Sequence, residues 1–189
     1  NEAIAMLKSK GIDTVVVDHH EIGPDGRPDC VALVNPKASG HTHNYLCAAG
    51  VVFKLAHALL KRRPLETFDL KSVLDLVAVA TISDIVPLVD ENRLLVRHGL
   101  RKLENSVRPG LRALLKLTGT EGRLSSSDIG FRIGPRLNAA GRMDQPEKAL
   151  AILMTECSNK ALDLADELEN FNRNRQQLEQ AIFAEAMAM

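Results

Sequence analysis

The amino-acid sequence predicts an α/β fold in which a partial, Rossmann-like parallel sheet is followed by a helical part and a long connecting helix. The first observation is a continuous β-branched run within Thr14–Asp18, which is typical of a strand buried in a parallel sheet. The second is a change of pattern from Asn92 onward, where apolar residues recur every three or four positions, as on one face of a helix. The third is that Ser158–Met189 keeps such an apolar seam along one long helix.

Local signals predict the elements of the first half. Ala3–Lys10 is a helix that stops at Gly11, and the strand Thr14–Asp18 is followed by turn residues. Cys30–Val34 is a second short strand, halted by Asn35-Pro36. The other two helices of this half are Tyr45–Lys61, which has a small-residue face suited to lying on a sheet, and Leu70–Thr81, which Asp69 caps.

The second half is predicted to be helical throughout. Its shorter helices are Asn92–Glu104, Pro109–Thr118 and Gln145–Met154. Pro109 suits a first helical turn, and Gly119 lies just past a helix end. The seam of the long helix consists of Leu164, Leu168, Phe171, Leu178 and Ile182. At about 1.5 Å per residue this helix extends past a compact domain, so we predict one domain over residues 1–155 and an interdomain connecting helix over residues 156–189.

Composition limits the class of protein. Hydrophobic residues make up 45% of the chain and charged residues 25%, a balance typical of globular proteins. Since no apolar run approaches the roughly 20 residues that a membrane helix needs, we expect no membrane partner. The three cysteines are odd in number and include no close-set pair, which argues against a disulfide framework and favours a reducing cytoplasm. The aromatic content of 3% argues against a base-stacking platform.

The net charge of zero conceals an uneven distribution. Residues 91–142 contain eleven Lys or Arg against four Asp or Glu, whereas the segments on either side are acidic. Such a basic block is a candidate track for a polyanion, because neutralisation of phosphates supplies much of the affinity for nucleic acids. A set of solvated amphipathic helices would give the same count, and charge alone does not decide between the two interpretations.

Polar residues that suit metal chemistry follow the first strand. Asp18-His19-His20 stands at its carboxyl end, where parallel sheets open into crevices. The imidazole of His19 and the carboxylate of Asp84 suit a divalent metal. Asp18 could orient an imidazole or bind the metal directly, and His20 could contact a phosphate. The alternatives are a pair of histidines on a solvated loop and, for Asp84, a turn residue bonded to backbone amides.

A second candidate region is Phe131–Arg142, where three arginines alternate with small residues. Arg132, Arg136 and Arg142, together with Asn138, are candidates for phosphate contacts, because small neighbours let a backbone approach and guanidinium groups fork onto phosphate oxygens. The alternative is structural, with arginine side chains bonded to carbonyl groups at a tight turn.

Three motifs together resemble the DHH phosphoesterase superfamily, and in particular its branch of single-stranded-DNA exonucleases: Asp18-His19-His20, Ile82-Ser83-Asp84-Ile85-Val86-Pro87-Leu88 and Gly134-Pro135-Arg136-Leu137-Asn138-Ala139-Ala140-Gly141-Arg142. The resemblance implies that His19 and Asp84 are metal ligands, that Asp18 supports or binds the metal, and that His20 contacts the scissile phosphate. In the last motif, Arg136, Asn138 and Arg142 would bind the nucleic acid and line the path of the DNA. The implied reaction is 5′-to-3′ hydrolysis of single-stranded DNA with two Mn²⁺ or Mg²⁺ ions, in the setting of DNA repair and recombination.

Two parts of the family pattern have no counterpart in this sequence: an upstream acidic Asp-x-Asp-x-x-Gly motif with a further Asp, and a glycine-rich second domain. We therefore expect residues 1–155 to be the C-terminal part of a DHH catalytic domain. We expect the isolated chain to be inactive and to self-associate through the unpaired edge of Thr14–Asp18. Two alternatives remain: a DHH phosphoesterase acting on pyrophosphate, cyclic dinucleotides or short oligonucleotides, and a non-catalytic replication scaffold of the same fold.

Overall fold

The computed structural model describes residues 1–120 and 122–188, and these residues form a mixed α/β fold, as the sequence predicts. The strands are β1 (Val15–Val17) and β2 (Ala32–Val34). The helices are α1 (Glu2–Ser9), α2 (Ala48–Arg62), α3 (Leu74–Ser83), α4 (Asp90–Glu104), α5 (Pro109–Leu117), α6 (Ser126–Asp128), α7 (Gly134–Arg142), α8 (Pro146–Met154) and α9 (Ser158–Ala188). None of these helices is long and apolar enough to cross a membrane.

The sheet of the described residues has two parallel strands, with Val15 opposite Ala32 and Val17 opposite Val34. The backbone N–H of Asp18 donates to the carbonyl of Val34 at 3.1 Å, which fixes the end of β1 beside the end of β2. The strand was predicted to be buried, but Val15 is 58% exposed. The reason is that a sheet of two strands gives each side chain few neighbours on its own face.

Helix α3 forms the centre of the helical part. Its apolar residues surround the helix on all sides, which is the pattern of a buried helix. A Cβ added at Gly99 of α4 would lie 2.3 Å from the carbonyl oxygen of Leu74 and 2.4 Å from the Cβ of Ala78. Helices α3 and α4 therefore approach as closely as a glycine allows. The core continues across the remaining helices through Leu103, Leu111, Leu114, Ile133, Ile152 and Leu168.

A buried carboxylate joins α3 to the loop between α4 and α5. Asp75 is 1% exposed, and its Oδ2 accepts a hydrogen bond from the hydroxyl of Ser106 at 2.8 Å. The Nε of Arg108 lies 3.3 Å from the same oxygen. Because both partners come from one loop, the buried charge of Asp75 is compensated and the loop is fixed to the core.

The region Phe131–Arg142 is helical, so its arginines lie on helical backbone and not at a tight turn. A capping box between Ser125 and Asp128 starts α6, and a π-helical segment, Ile129–Ile133, leads directly into α7. Pro135 stands in the first turn of α7, where the wider turn before it accommodates a residue without an N–H.

The long helix α9 divides into two halves of different character. Its first half is packed in the core through Ala161, Leu164, Ala165, Leu168 and Asn172. From residue 176 onward every described residue is exposed, including Leu178 at 57%. The predicted seam therefore packs over the first half only, and the second half extends past the core as expected. The division at residue 155 remains a prediction.

Candidate metal centre and adjoining pocket

The ends of β1 and α3 bring an imidazole and a carboxylate together. Asp84 directly follows α3, and its N–H donates to the carbonyl of Ala80 at 2.9 Å. The Nε2 of His19 lies 3.4 Å from the Oδ2 of Asp84. The side chain of His19 is 12% exposed and that of Asp84 is 41% exposed. The imidazole is therefore mostly buried, whereas the carboxylate is partly accessible to solvent.

Asp18 and His20 extend this pair into a cluster. The Nδ1 of His20 lies 2.8 Å from the Oδ1 of Asp18, and the ring centroids of His19 and His20 are 4.3 Å apart. Potential ligand atoms of these three consecutive residues all lie within 4.8 Å of one another. The sequence-predicted residues of the metal centre are thus adjacent in space.

The carboxyl group of Asp18 is held in its ionised form. Partial burial raises its pKa, but the hydrogen bonds from the His20 side chain and from the backbone N–H groups of His19 and His20 outweigh this effect. The pKa therefore lies below the ordinary value of 3.8. An ionised Asp18 can bind a cation or hold the neighbouring imidazole in a fixed orientation.

Asn35 fixes the loop that carries the histidines, a role that the sequence did not reveal. Its side chain is buried, and its Nδ2 donates to the carbonyl of His20 at 2.9 Å. Its Oδ1 accepts from the backbone N–H groups of Lys37 and Ala38 at 2.9 and 3.1 Å. The signal in the sequence was an Asn-Pro pair directly after a strand, where a side chain that bonds nearby backbone is common.

The residue after Asp84 has an unusual backbone. Ile85 has a φ of 57°, although β-branched residues rarely adopt positive φ, and it is 89% exposed. Backbone strain of this kind persists where the surroundings impose it, and it is frequent at functional sites. The strained residue thus directly follows the candidate metal ligand Asp84.

The donor set of this cluster fits a divalent cation. His19 contributes an imidazole, which suits transition metals such as Mn²⁺, and Asp18 and Asp84 contribute the carboxylate oxygens that Mn²⁺ and Mg²⁺ prefer. The donors come from the ends of two separate elements, so the fold and not the local chain alone brings them together.

A pocket adjoins this centre through the residues on either side of Asp84. Its polar lining consists of Ser83, Ser126, Ser127, Asn138, Arg142 and Arg175. Within the described residues, the Oγ of Ser83 and the Nε of Arg175 are buried and form no hydrogen bond. Because a buried polar atom without a partner is costly, the pocket is suited to a polar ligand.

The three predicted nucleic-acid-binding residues occupy two different environments. Asn138 and Arg142 lie one turn apart on α7 and line the pocket. Arg136 instead forms an ion pair with Glu169 of α9, with 2.6 Å between Nε and Oε2, and its Nη1 donates to the carbonyl of Arg132. The structural alternative thus describes Arg136, although on a helix and not at a tight turn.

Arg175 was not predicted as a site residue. Two signals in the sequence pointed to it: it interrupts the apolar seam of α9, and with Asn172 and Arg173 it fits the resemblance to the exonuclease branch. In the structure its Nη2 donates to the Oδ1 of Asn172 at 3.3 Å and its Nη1 donates to Glu179 at 2.5 Å. These two contacts hold its guanidinium group at the pocket.

Comparison with known proteins identifies relatives of this chain. Residues 1–81 match the model described as the DHH family, N-terminal domain. The chain is 44% identical over 187 residues to the single-stranded-DNA-specific exonuclease RecJ of Bacillus subtilis (strain 168). The match covers 97% of this chain but 23% of that relative, so the chain spans about a quarter of the relative's length.

Two solved structures have the same fold over nearly the whole chain. A crystal structure of exonuclease RecJ bound to manganese has a TM-score of 0.86 and 36% identity, and the match covers 97% of this chain and 46% of that one. The structure of RecJ in complex with Mg²⁺ from Thermus thermophilus has a TM-score of 0.81 and 35% identity, covering 95% of this chain and 27% of that one. Over nearly its whole length, the chain is similar to a segment of the RecJ exonucleases. These matches, together with the His19 and Asp84 side chains at the ends of β1 and α3, show that the chain belongs to the DHH family.

Proposed function

We propose that this chain forms part of the active site of a metal-dependent exonuclease that degrades single-stranded DNA. The observation that carries the proposal is the contact between His19 and Asp84 beside Asp18 and His20, with Ser83 and Ile85 on either side of Asp84 lining the pocket of Asn138 and Arg142. The proposal is supported by relatives that are named single-stranded-DNA-specific exonucleases and by their structures with Mn²⁺ and Mg²⁺.

Each residue of the centre has a distinct role in this proposal. His19 and Asp84 bind a divalent metal, and Asp18 binds it or fixes the orientation of an imidazole. His20 contacts a non-bridging oxygen of the scissile phosphate. When bound, the metal would activate a water molecule and stabilise the charge on the phosphate and the leaving oxygen.

The pocket holds the substrate strand. Arg142, Arg175 and Asn138 present donors to phosphate oxygens, and a guanidinium group suits a phosphate particularly well because it binds two oxygens at once. Arg136 acts indirectly, because its ion pair with Glu169 fixes the position of α7 against α9. The 5′-to-3′ direction and a role in cytoplasmic DNA repair and recombination are part of the proposal through the family resemblance.

The isolated chain is expected to have little or no activity. A two-metal centre, with ions about 3.5–4 Å apart, needs several bridging and terminal ligands. The described residues bring together donors from Asp18, His19, His20 and Asp84 only. We propose that the remaining ligands come from outside this chain.

The test is Mn²⁺-dependent release of mononucleotides from a 5′-phosphorylated single-stranded oligonucleotide by the intact protein. His19→Ala and Asp84→Asn are each expected to reduce the rate by at least about a hundredfold, because each removes a metal ligand. His57→Ala is the matched control, since His57 lies exposed on α2.

Three results would contradict the proposal. One is full activity of His19→Ala. Another is cleavage of pyrophosphate or a dinucleotide by a wild-type protein that does not degrade the DNA strand, which would indicate another branch of the family. The third is a wild-type protein that hydrolyses none of these substrates but still binds DNA, which would indicate a scaffold.

A further inference from the structure

A groove lined with arginines runs along α4, outside the metal centre. Arg93, Arg97 and Arg101 stand one helical turn apart on α4, and Arg123 faces them from the loop before α6. Leu88, Val96 and Leu100 contribute the apolar lining, and the groove also contains Glu104, Leu124 and Ser126. We call this surface the α4 groove.

The arginines of the α4 groove are exposed, and no ion pair among the described residues involves them. The acid in the described lining is Glu104, and its Oε1 is occupied by the backbone N–H of Leu124 at 2.9 Å. Like charges spaced four residues apart repel one another along a helix. A bound anion would remove this repulsion, so the spacing itself favours a negatively charged ligand.

The groove adjoins the pocket of the candidate site. Ser126 lines both, and the pocket also contains Ser83 and Ile85, the two neighbours of Asp84. A linear polyanion bound at the metal centre can therefore pass through the pocket and reach α4 along one surface.

The chemistry of the groove matches a phosphate backbone and not the bases. Its described lining contains no aromatic side chain on which a base could stack. From Arg93 to Arg101 the helix rises about 12 Å, which is several times the roughly 3.4 Å of helix axis that each phosphate of one duplex strand occupies. The three arginines of α4 can thus contact more than one phosphate.

We propose that the α4 groove binds the phosphate backbone of a single-stranded nucleic acid, independently of its sequence, as an extension of the candidate site. This inference rests on the function proposed above, since it concerns the same substrate strand. The groove contributes to affinity for long strands, whereas a dinucleotide that occupies the metal centre does not reach it.

The test compares two variants of the intact protein that lose the same charge. The groove variant is Arg93→Gln, Arg97→Gln, Arg101→Gln, and the control is Lys61→Gln, Arg62→Gln, Arg63→Gln at the end of α2, where the residues are also exposed. Binding of fluorescent oligo-dT is measured without divalent metal over a range of salt concentrations. The groove variant is expected to bind on the order of tenfold more weakly, and its salt slope is expected to fall by about 2, since each phosphate contact on a single strand contributes about 0.7.

A conservative variant separates charge from shape. Replacing the same three arginines by lysine is expected to keep most of the salt slope, because lysine retains the charge. Melting curves of all variants are expected to coincide, since the substituted side chains are exposed. A groove variant that folds normally but keeps the wild-type salt slope would overturn the inference.

The outcomes also separate this inference from the proposed function. In one outcome, the wild-type protein binds oligo-dT with a steeper salt dependence than the groove variant and yet hydrolyses no strand. That result would support the α4 groove as a binding surface and contradict the exonuclease proposal. If the protein degrades DNA but the groove variant and the control variant bind long strands equally well, the exonuclease proposal is supported and the inference about the groove is wrong. Unchanged cleavage of a dinucleotide together with slower cleavage of long strands supports both.

Discussion

The helical core and the two-stranded sheet differ in how deeply their side chains are buried. In the core, Leu103, Leu111, Leu114 and Leu168 are fully buried, and helices approach as closely as glycines allow. At the sheet, neither α1 nor the two strands contain a buried residue. The candidate metal centre lies where these regions meet, with Asp18 and His19 on the sheet side and Asp84 on the helical side. The comparison teaches that stability and chemistry reside in different parts of this chain.

The largest effect is expected from a cavity in the core. Leu168→Ala is expected to lower the free energy of unfolding by about 2–5 kcal/mol, because Leu168 of α9 is fully buried and its removal leaves an unfilled space. Urea denaturation measures the change. Leu178→Ala on the exposed half of the same helix is the control and is expected to change stability by less than about 0.5 kcal/mol. Equal losses in the two variants would show that the exposed half of α9 is also packed.

A smaller effect is expected from the buried carboxylate that fixes the α4–α5 loop. Ser106→Ala removes the hydroxyl that donates to Asp75, and the loss is expected to be about 1–3 kcal/mol because a buried acceptor loses a partner. The double variant with Asp75→Asn is expected to cost less than the sum of the two single changes. Additive losses would show that the two side chains do not interact.

The capping box before the π-helical segment is expected to make the free energy of unfolding depend on pH. Ser125→Ala is expected to cost about 1 kcal/mol at neutral pH, since it removes an N-cap. The hydrogen bonds from Ser125, first from its side chain and then from its backbone, hold the pKa of Asp128 below the ordinary value of 3.8. A depressed pKa in the folded state stabilises the fold above the unfolded pKa, and this contribution is lost as the pH falls through the folded value.

Chemical denaturation of the wild type and of Asp128→Asn, from neutral pH to about pH 3, measures this contribution. The two stabilities are expected to converge as the pH falls. A difference that stays constant over this range would assign the effect to shape and not to charge.

A substitution in the sheet is expected to have the smallest effect on stability. It is nevertheless expected to change self-association measurably. In the described sheet β1 and β2 each leave one edge open, and open strand edges tend to recruit other chains. Val15→Lys is expected to reduce self-association in light scattering and to leave the melting temperature nearly unchanged, because Val15 is already exposed. A wild-type chain that is monomeric at all concentrations would contradict the expectation.

Much of the helical fold could be predicted from local signals. Asp69 accepts the N–H of Lys71, Pro109 stands in the first turn of α5, and Gly119 has a φ of 61° just after that helix. These features depend on neighbours in sequence. The exposure of Val15 and the π-helical segment depend on packing partners that a local pattern does not contain, and they were not predicted.

The candidate site also combines a feature that could be predicted from the sequence with features that depend on tertiary packing. The approach of His19 to Asp84 was expected from the family resemblance, and the geometry of the two residues agrees with it. The ion pair of Arg136 with Glu169 and the position of Arg175 could not be predicted, because both depend on how α9 crosses α7. Charge in the sequence showed which residues were available, whereas tertiary packing determined which of them face the pocket.

Helix α9 also has a mechanical consequence. It contains no glycine or proline, the residues at which helices most often bend. Arg175 at the pocket and Leu178 on the exposed half are therefore parts of one stiff rod, and the contact between Arg175 and Glu179 spans the point where the core ends. A movement of the exposed half is therefore expected to displace the Arg175 guanidinium group at the pocket.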